Sequence, residues 1–257
     1  MSVTLQKAGL WKRISAFLFD IILTFTLALG LSVAVSAIMH YGDYQQQLEV
    51  RYTYYEEQFG VKFSISDEEY EQLTDEQKAE REQILEEATA ALRADEEYVK
   101  LTNLIFYMTV AIVAISAFLA ILIWQFLIPL LFGYGRTLGK KIFGLGVIRT
   151  NLTKASNPVL FIRAVIGSYT IETMFPILIL VMILFGLIGI VGIITLLLFF
   201  GLQLFVLFTS KTNAAIHDLL CDTVVVDFAS QMIFDTEADR IAFEEEAKAK
   251  EAPQQQQ

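Results

Sequence analysis

Three stretches of nearly unbroken apolar residues dominate the chain. Residues 15–39 hold one charge, Asp20; residues 103–132 hold none; residues 158–210 hold two, Arg163 and Glu172. A bilayer core of about 30 Å takes about 20 helical residues, so each of the first two stretches predicts one crossing. At about 1.5 Å per residue the second is roughly 45 Å long, and its helix tilts or begins before the membrane does. The third would reach roughly 80 Å as a single helix and predicts two crossings. Its turn is placed at Gly186, Gly189 and Gly192, where glycine permits reversal of the backbone. The alternative role of these glycines is close helix packing.

Positive charge orients the spans, because lysine and arginine accumulate in short cytoplasmic loops. Lys7, Lys12 and Arg13 precede the first span, and residues 133–157 carry Arg136, Lys140, Lys141, Arg149 and Lys154 with no acid. Both segments are expected in the cytoplasm. Residues 40–102 hold 17 acids against 6 basic residues, which suits the outer side. The expected fold is an all-α membrane protein with four transmembrane helices and both termini cytoplasmic. In chain order it comprises the N-terminus and first span (1–39), an extracytoplasmic acidic helical insert (40–102) and the second span (103–132). A basic cytoplasmic loop (133–157), a hairpin of the third and fourth spans (158–210), a cytoplasmic motif (211–226) and an acidic tail (227–257) follow. A cleaved signal peptide fits less well, since the first apolar run exceeds the usual core of about 7 to 15 residues and contains Asp20.

Within the insert, Ser66 followed by Glu69 and Thr74 followed by Gln77 both predict capping boxes. After Thr74 the apolar spacing through Ile84, Leu85, Ala88, Ala91 and Leu92 predicts an amphipathic helix running towards the second span. Tyr44, Tyr52, Tyr54, Tyr55 and Phe59 add an aromatic patch. The insert is either a solvated acidic hairpin or a surface that docks a partner or collects cations. On the basic side, Gly135-Arg136-Thr137-Leu138-Gly139-Lys140-Lys141 fails as a phosphate loop: Tyr134 stands where the first glycine belongs, and Lys141 where Ser or Thr belongs. What remains is a glycine-punctuated basic turn. Gly146-Val147-Ile148-Arg149 and Thr223-Val224-Val225-Val226 are short β-branched runs expected to pair. The tail is expected to be largely disordered apart from a short helix over residues 236–249.

Composition narrows the function. The chain of 257 residues is 55% hydrophobic and 19% charged, with mean hydropathy +0.52. That charged share is below the quarter or so of a soluble domain, which disfavours a soluble enzyme. A net charge of −10 disfavours nucleic acid, whose phosphates need a basic footprint. The single cysteine, Cys221, excludes an intramolecular disulfide. The two histidines, His40 and His217, fall near opposite ends of the membrane and form no catalytic set with it. No enzymatic activity, metal or cofactor is expected; the expected partners are the lipid bilayer and a second copy or another membrane protein.

Ionisable groups in lipid are costly and normally face a partner or a water-filled cavity. Asp20 lies roughly 9 Å inside the first helix by helical rise. Arg13, seven residues earlier, lies within about 20° of it on the same face. Asp20 is therefore either satisfied by an arginine or by donors of a neighbouring helix, or it binds a cation or carries a proton with Arg13 as local counter-charge. Arg163, five residues after Pro158, is expected to snorkel as a helix anchor. Glu172 lies deeper, on the opposite helical face from Arg163 at 100° per residue, and is the second candidate for ion or proton binding.

These residues resemble the RDD family of multi-pass membrane proteins, named for one arginine and two aspartates. Arg13 and Asp20 match in Trp11-Lys12-Arg13-Ile14-Ser15-Ala16-Phe17-Leu18-Phe19-Asp20, and the second aspartate matches Asp218 in Ala215-Ile216-His217-Asp218-Leu219-Leu220. The turn at Gly135, Arg136, Gly139, Lys140 and Lys141 is similar to the family's glycine-basic turn. The resemblance implies a multi-pass membrane fold and involvement in transport, with some members resembling cation/proton antiporters. Cys221 and Asp222 depart from the family's Ala-Gly before Thr223. Two functions follow: a secondary transporter or cation/proton exchanger of a small cation or solute using Asp20 and Glu172, or a non-catalytic membrane scaffold or assembly factor in which Arg13, Asp20 and Asp218 tie helix ends together.

Overall fold

The computed structural model describes residues 4–172 and 216–251, with seven further helical positions (194, 197, 198, 201, 202, 205 and 209) between them. The turn expected at Gly186, Gly189 and Gly192 lies outside the described residues. The chain divides into two compact units, residues 32–115 and residues 1–31 with 116–257.

Two described helices are long and apolar enough to cross a membrane. Helix α1 (Leu10–Ile38) is the first. Its large apolar side chains, among them Phe17, Ile22, Phe25, Leu29 and Val33, are exposed, a pattern costly in water and suited to lipid. The second, Glu96–Phe132, has 37 residues and begins seven residues before the apolar run, in keeping with its length.

The unit of residues 32–115 is helical. Helix α2 (Tyr41–Phe59) ends at Gly60, whose φ of 69° suits a left-handed cap. Helices α3 (Asp67–Glu71) and α4 (Asp75–Ala94) start with both expected capping boxes formed: Ser66 with Glu69, and Thr74 with Gln77. Ala88 and Leu92 on the apolar face of α4 are buried. The chain breaks helical geometry at Asp95 and resumes in α5 (Glu96–Leu122), so the amphipathic helix and the spanning helix are distinct elements. The aromatic patch is a network: Tyr52 meets Phe63 and Tyr98 edge-on, and Arg51 pairs with Asp95 at 3.7 Å and with Glu97.

In the other unit, α5 passes into a π-helical turn, Ile123–Leu127, and then α6 (Ile128–Phe132). Pro129 accounts for the rewinding, because its ring and missing N–H disrupt the i→i−4 ladder just upstream. The basic turn leads into α7 (Leu138–Ile142) and strand β1 (Leu145–Arg149). Helix α8 (Asn157–Ile162) follows with Pro158 in its first turn, and the chain then winds as a second π-helix, Arg163–Glu172. Helix α9 (Ile216–Leu220), strand β2 (Thr223–Asp227) and helix α10 (Glu237–Glu251) complete the described chain.

The two strands pair antiparallel, with Val147 opposite Val225 and Ile148 opposite Val224, as their β-branched runs predict. One face packs Leu145, Val147 and Val225 with Ala8 and Ala16; the other packs Ile148, Val224 and Val226 with Leu152 and Phe234. Burial on both faces explains why the strands are apolar throughout rather than alternating. Helix α10 falls where the short helix over residues 236–249 is expected, and the stretch before it departs from the expected disorder: Phe234 and Phe243 meet as a tilted ring pair, 5.5 Å between centroids, over the second face. Thr236 and Asp239 cap α10 reciprocally, and Asn151 bonds Glu237 at 2.6 Å.

Candidate functional site

Asp20 is buried on α1 with 3% of its surface exposed, and three donors converge on its carboxylate. Oδ1 accepts from the Trp124 indole at 3.0 Å and from the Gly139 backbone N–H at 2.9 Å; Oδ2 accepts from the Thr137 hydroxyl. Each donor has a local reason to be there. Trp124 belongs to the π-turn that Pro129 induces. Thr137 is the N-cap of α7, its oxygen also accepting from the Lys140 N–H at 3.3 Å, so the cap residue joins the carboxylate to a helix start. Gly139 approaches closely enough that a Cβ would lie 2.5 Å from the Ala16 carbonyl oxygen and 2.9 Å from the Asp20 carboxyl carbon. Only glycine lets its backbone N–H reach Oδ1.

No cation lies within ion-pairing distance of Asp20 among the described residues, and this corrects the expected Arg13 counter-charge. Arg13 reaches Asp218 instead, at 3.6 Å. Seven residues at about 1.5 Å rise separate Arg13 and Asp20 by roughly 10 Å along the axis, too far for one ion pair.

Asp218, on α9, is 1% exposed. Its Oδ1 lies 2.9 Å from Arg163 Nη2, 3.7 Å from His217 Nε2 and 3.2 Å from the donating Thr223 hydroxyl. Arg163 Nη2 also lies 2.8 Å from His217 Nε2. Burial pushes the Asp218 carboxyl up, but Arg163, then His217, Arg13 and Lys140 together outweigh it and hold the group below the usual carboxylate range. Arg163, expected as an anchor, turns its guanidinium to Asp218. It is 8% exposed, drawn inward by a carboxylate that no apolar surround would tolerate unpaired. A Cβ on Gly167 would overlap the His217 Cβ, so glycine in the second π-helix sets how closely α9 approaches.

The remaining residues of the basic turn are structural. Gly135 has φ 61° and touches Val147 so closely that a Cβ would lie 2.8 Å from its Cβ. Arg136 Nη2 donates to the Phe132 carbonyl at 2.8 Å, and its guanidinium stacks 4.2 Å over the Phe228 ring, satisfying a helix C-terminus. Lys141 sits 4.1 Å over the Phe132 ring. Asp222 adopts φ 50°, and its carboxylate accepts from Thr150 Oγ1. Aspartate thus holds a left-handed position before β2, a region that it tolerates better than most residues.

Glu172 closes the second π-helix, and its side chain lies outside the described residues. The i→i+5 winding between it and Arg163 removes the basis for placing them on opposite faces at 100° per residue. Among the described residues no group of three or more His, Cys, Asp or Glu gathers to hold a metal. Trp124 was not anticipated; the one local signal was Pro129, five residues on.

Comparison with curated proteins and with solved structures finds no match to the chain. The family model of the RDD family matches residues 7–222, a stretch that takes in Asp20 and Asp218, both long apolar helices and the basic turn. The chain belongs to the RDD family of multi-pass membrane proteins.

Proposed function

We propose that this chain is a non-enzymatic scaffold or assembly factor of the cell membrane. In this reading four spans place both termini in the cytoplasm, and Arg13, Asp20 and Asp218 clamp the inner helix ends to the small sheet. The observation that carries it is the state of Asp20. Three neutral donors occupy its two oxygens, out of about four lone-pair positions on an ionised carboxylate, and Gly139 backs directly against it. A carboxylate so held orders a turn; a transported cation would have to displace those donors. The acidic insert, with its surplus of 17 acids over 6 basic residues, faces outward and docks a partner or a second copy.

The exchanger reading keeps one support. Glu172 brings an acid into the third apolar run on a π-helix, a winding found often at functional sites. Purified protein in liposomes distinguishes the two. The scaffold reading expects no pH-dependent cation flux above empty vesicles and an unstable Asp20→Asn variant. Robust flux abolished by Asp20→Asn or Glu172→Gln, with unfolding unchanged, overturns it in favour of exchange.

A further inference from the structure

Helix α2 ends at Gly60, and the loop after it is held from both sides. The Val61 N–H donates to the Glu56 carbonyl at 3.1 Å and the Phe63 N–H to Glu56 Oε1 at 2.7 Å. From α4, Arg81 Nη2 donates to the Lys62 carbonyl at 2.6 Å. The two capping boxes fix where α3 and α4 begin. Between this loop, α3 and α4 lies a groove of about 400 Å³. Val61, buried, and Ile65, Leu73 and Ile84, half-buried, line it. The apolar surface of the last three is only partly covered, and an apolar occupant would recover the free energy of that exposure.

Around the groove the charge is one-sided. Residues 60–84 hold eight acids and three basic residues. Two of those three are engaged within the insert: Arg81 on the Lys62 carbonyl, and Lys78 over the Tyr70 ring at 5.1 Å. Among the described residues the ion pairs of the insert, His40 with Asp43 and Arg51 with Asp95 and Glu97, fall outside this stretch. Glu69 is used in its capping box, whereas Glu80 stands exposed on the groove wall.

Each class of occupant meets this surface differently. An anionic lipid surface is repelled, and so is the insert of a second copy, which carries the same 17 acids against 6 basic residues. A metal ion finds no group of three or more His, Cys, Asp or Glu among the described residues and leaves the apolar wall wet. A basic segment with one apolar face answers both features, as an amphipathic helix does when laid in a groove. We propose, taking the insert as the docking surface of the scaffold reading, that this groove binds a basic amphipathic segment of a partner protein. An aliphatic side chain of the segment enters among Ile65, Leu73 and Ile84, and its lysines or arginines meet Glu80 and the acids of α3 and α4.

The test uses the full chain in phosphatidylcholine nanodiscs, with empty nanodiscs as the blank, and short labelled helical peptides read by fluorescence anisotropy. The probe is a lysine-rich peptide with leucines at i, i+3, i+4 and i+7. Saturable binding is expected. Serine in place of leucine is expected to weaken it about tenfold or more, and glutamate in place of lysine to abolish it. Glu80→Lys is expected to weaken binding about fivefold. Glu82→Lys makes the same change in net charge about 200° round α4 and is expected to leave binding within about twofold. Both positions are exposed, and thermal melts check that the variants fold; the peptide series decides if Glu80→Lys does not. No saturable binding, equal binding of the serine peptide, or equal weakening by the two variants would each overturn the groove. Cation flux in liposomes alongside peptide binding would overturn the scaffold and leave the groove, whereas absence of both would overturn the groove and leave the scaffold.

Discussion

Asp20→Asn separates a structural carboxylate from a transporting one. The amide keeps an oxygen where Oδ1 accepts from Trp124 at 3.0 Å and from Gly139 at 2.9 Å, but without the charge that makes such bonds roughly twice as strong. At the Oδ2 position an NH2 group meets the Thr137 hydroxyl, which must turn from donor to acceptor while already accepting from the Lys140 N–H. Hydrogen bonds to charged groups contribute about 1.5–3 kcal/mol each. Weakening two and inverting a third therefore costs about 2–4 kcal/mol, or on the order of 5–15 °C in unfolding temperature for a chain of this size. Thr137→Val removes one donor and a helix cap for about 1–2 kcal/mol. Because both changes strike the same bond, the double variant is expected to lose less than the sum, with a coupling of about 0.5–3 kcal/mol. Thermal unfolding of the four proteins in one detergent, followed by tryptophan fluorescence, reads this directly. An Asp20→Asn protein within about 1 °C of the parent, or additive losses, would show that these bonds do not hold the turn, and the clamp would be refuted.

Three further outcomes follow from the same geometry. Gly139→Ala and Gly167→Ala push a methyl into the Ala16 carbonyl and the His217 Cβ, and each should lower stability by about 1–3 kcal/mol; Gly9→Ala, with nothing within 4 Å, serves as the neutral control in the same melts. At Asp222, held at φ 50°, Asn is expected to be tolerated, and Val to cost about 1–2 kcal/mol for the left-handed backbone alone; equal melting of the two would contradict the turn. Asp218, depressed in the folded state, contributes stability that is full above the unfolded carboxylate value of about 3.9 and is lost as pH falls through its folded value. Because Asp227 is lowered too, first by its bond to Lys12, the comparison is with Asp218→Asn, whose acid limb should be flatter than the parent's; parallel limbs would sink the assignment.

What was legible in the sequence were features set by neighbours along the chain. The capping boxes at Ser66 and Thr74 need only a residue three positions on, and the two long spans need only an uninterrupted apolar run. The strand pairing was accessible because two β-branched runs stood on one expected side of the membrane. The partners of the charges were not accessible in this way. Asp20 is bonded to residues more than a hundred positions away, and Arg163 to one 54 positions on. A 100° wheel also misplaces residues wherever the chain winds as a π-helix. In the tail the short helix was legible, but its seating was not: the acids suggest disorder around it, and Phe234 and Phe243 hold it to an apolar sheet face.

Arg13, Asp20 and Asp218 form two clusters that share one helix. Arg13 and Asp20 lie on the same stripe of α1, but Arg13 addresses Asp218 while Asp20 addresses Thr137 and Gly139. The segments they hold continue straight into the two strands: α7 leads into β1, and α9 into β2. Because β1 and β2 pair along five residues each, helix, clamp, strand, strand, clamp and helix form a closed circuit. Ala8 and Ala16 of the N-terminal segment and α1 pack on the sheet between the two clamps. In such a circuit no link fails alone. Opening the Asp20 clamp frees α7 and with it β1, which strips β2 of its partner and loosens Asp218. Hydrogen exchange should then show the β1 amides and the α9 amides deprotecting together in Asp20→Asn, although Asp20 touches neither strand. Deprotection confined to α7 would mean that the two clamps act independently, and the closed circuit would be wrong.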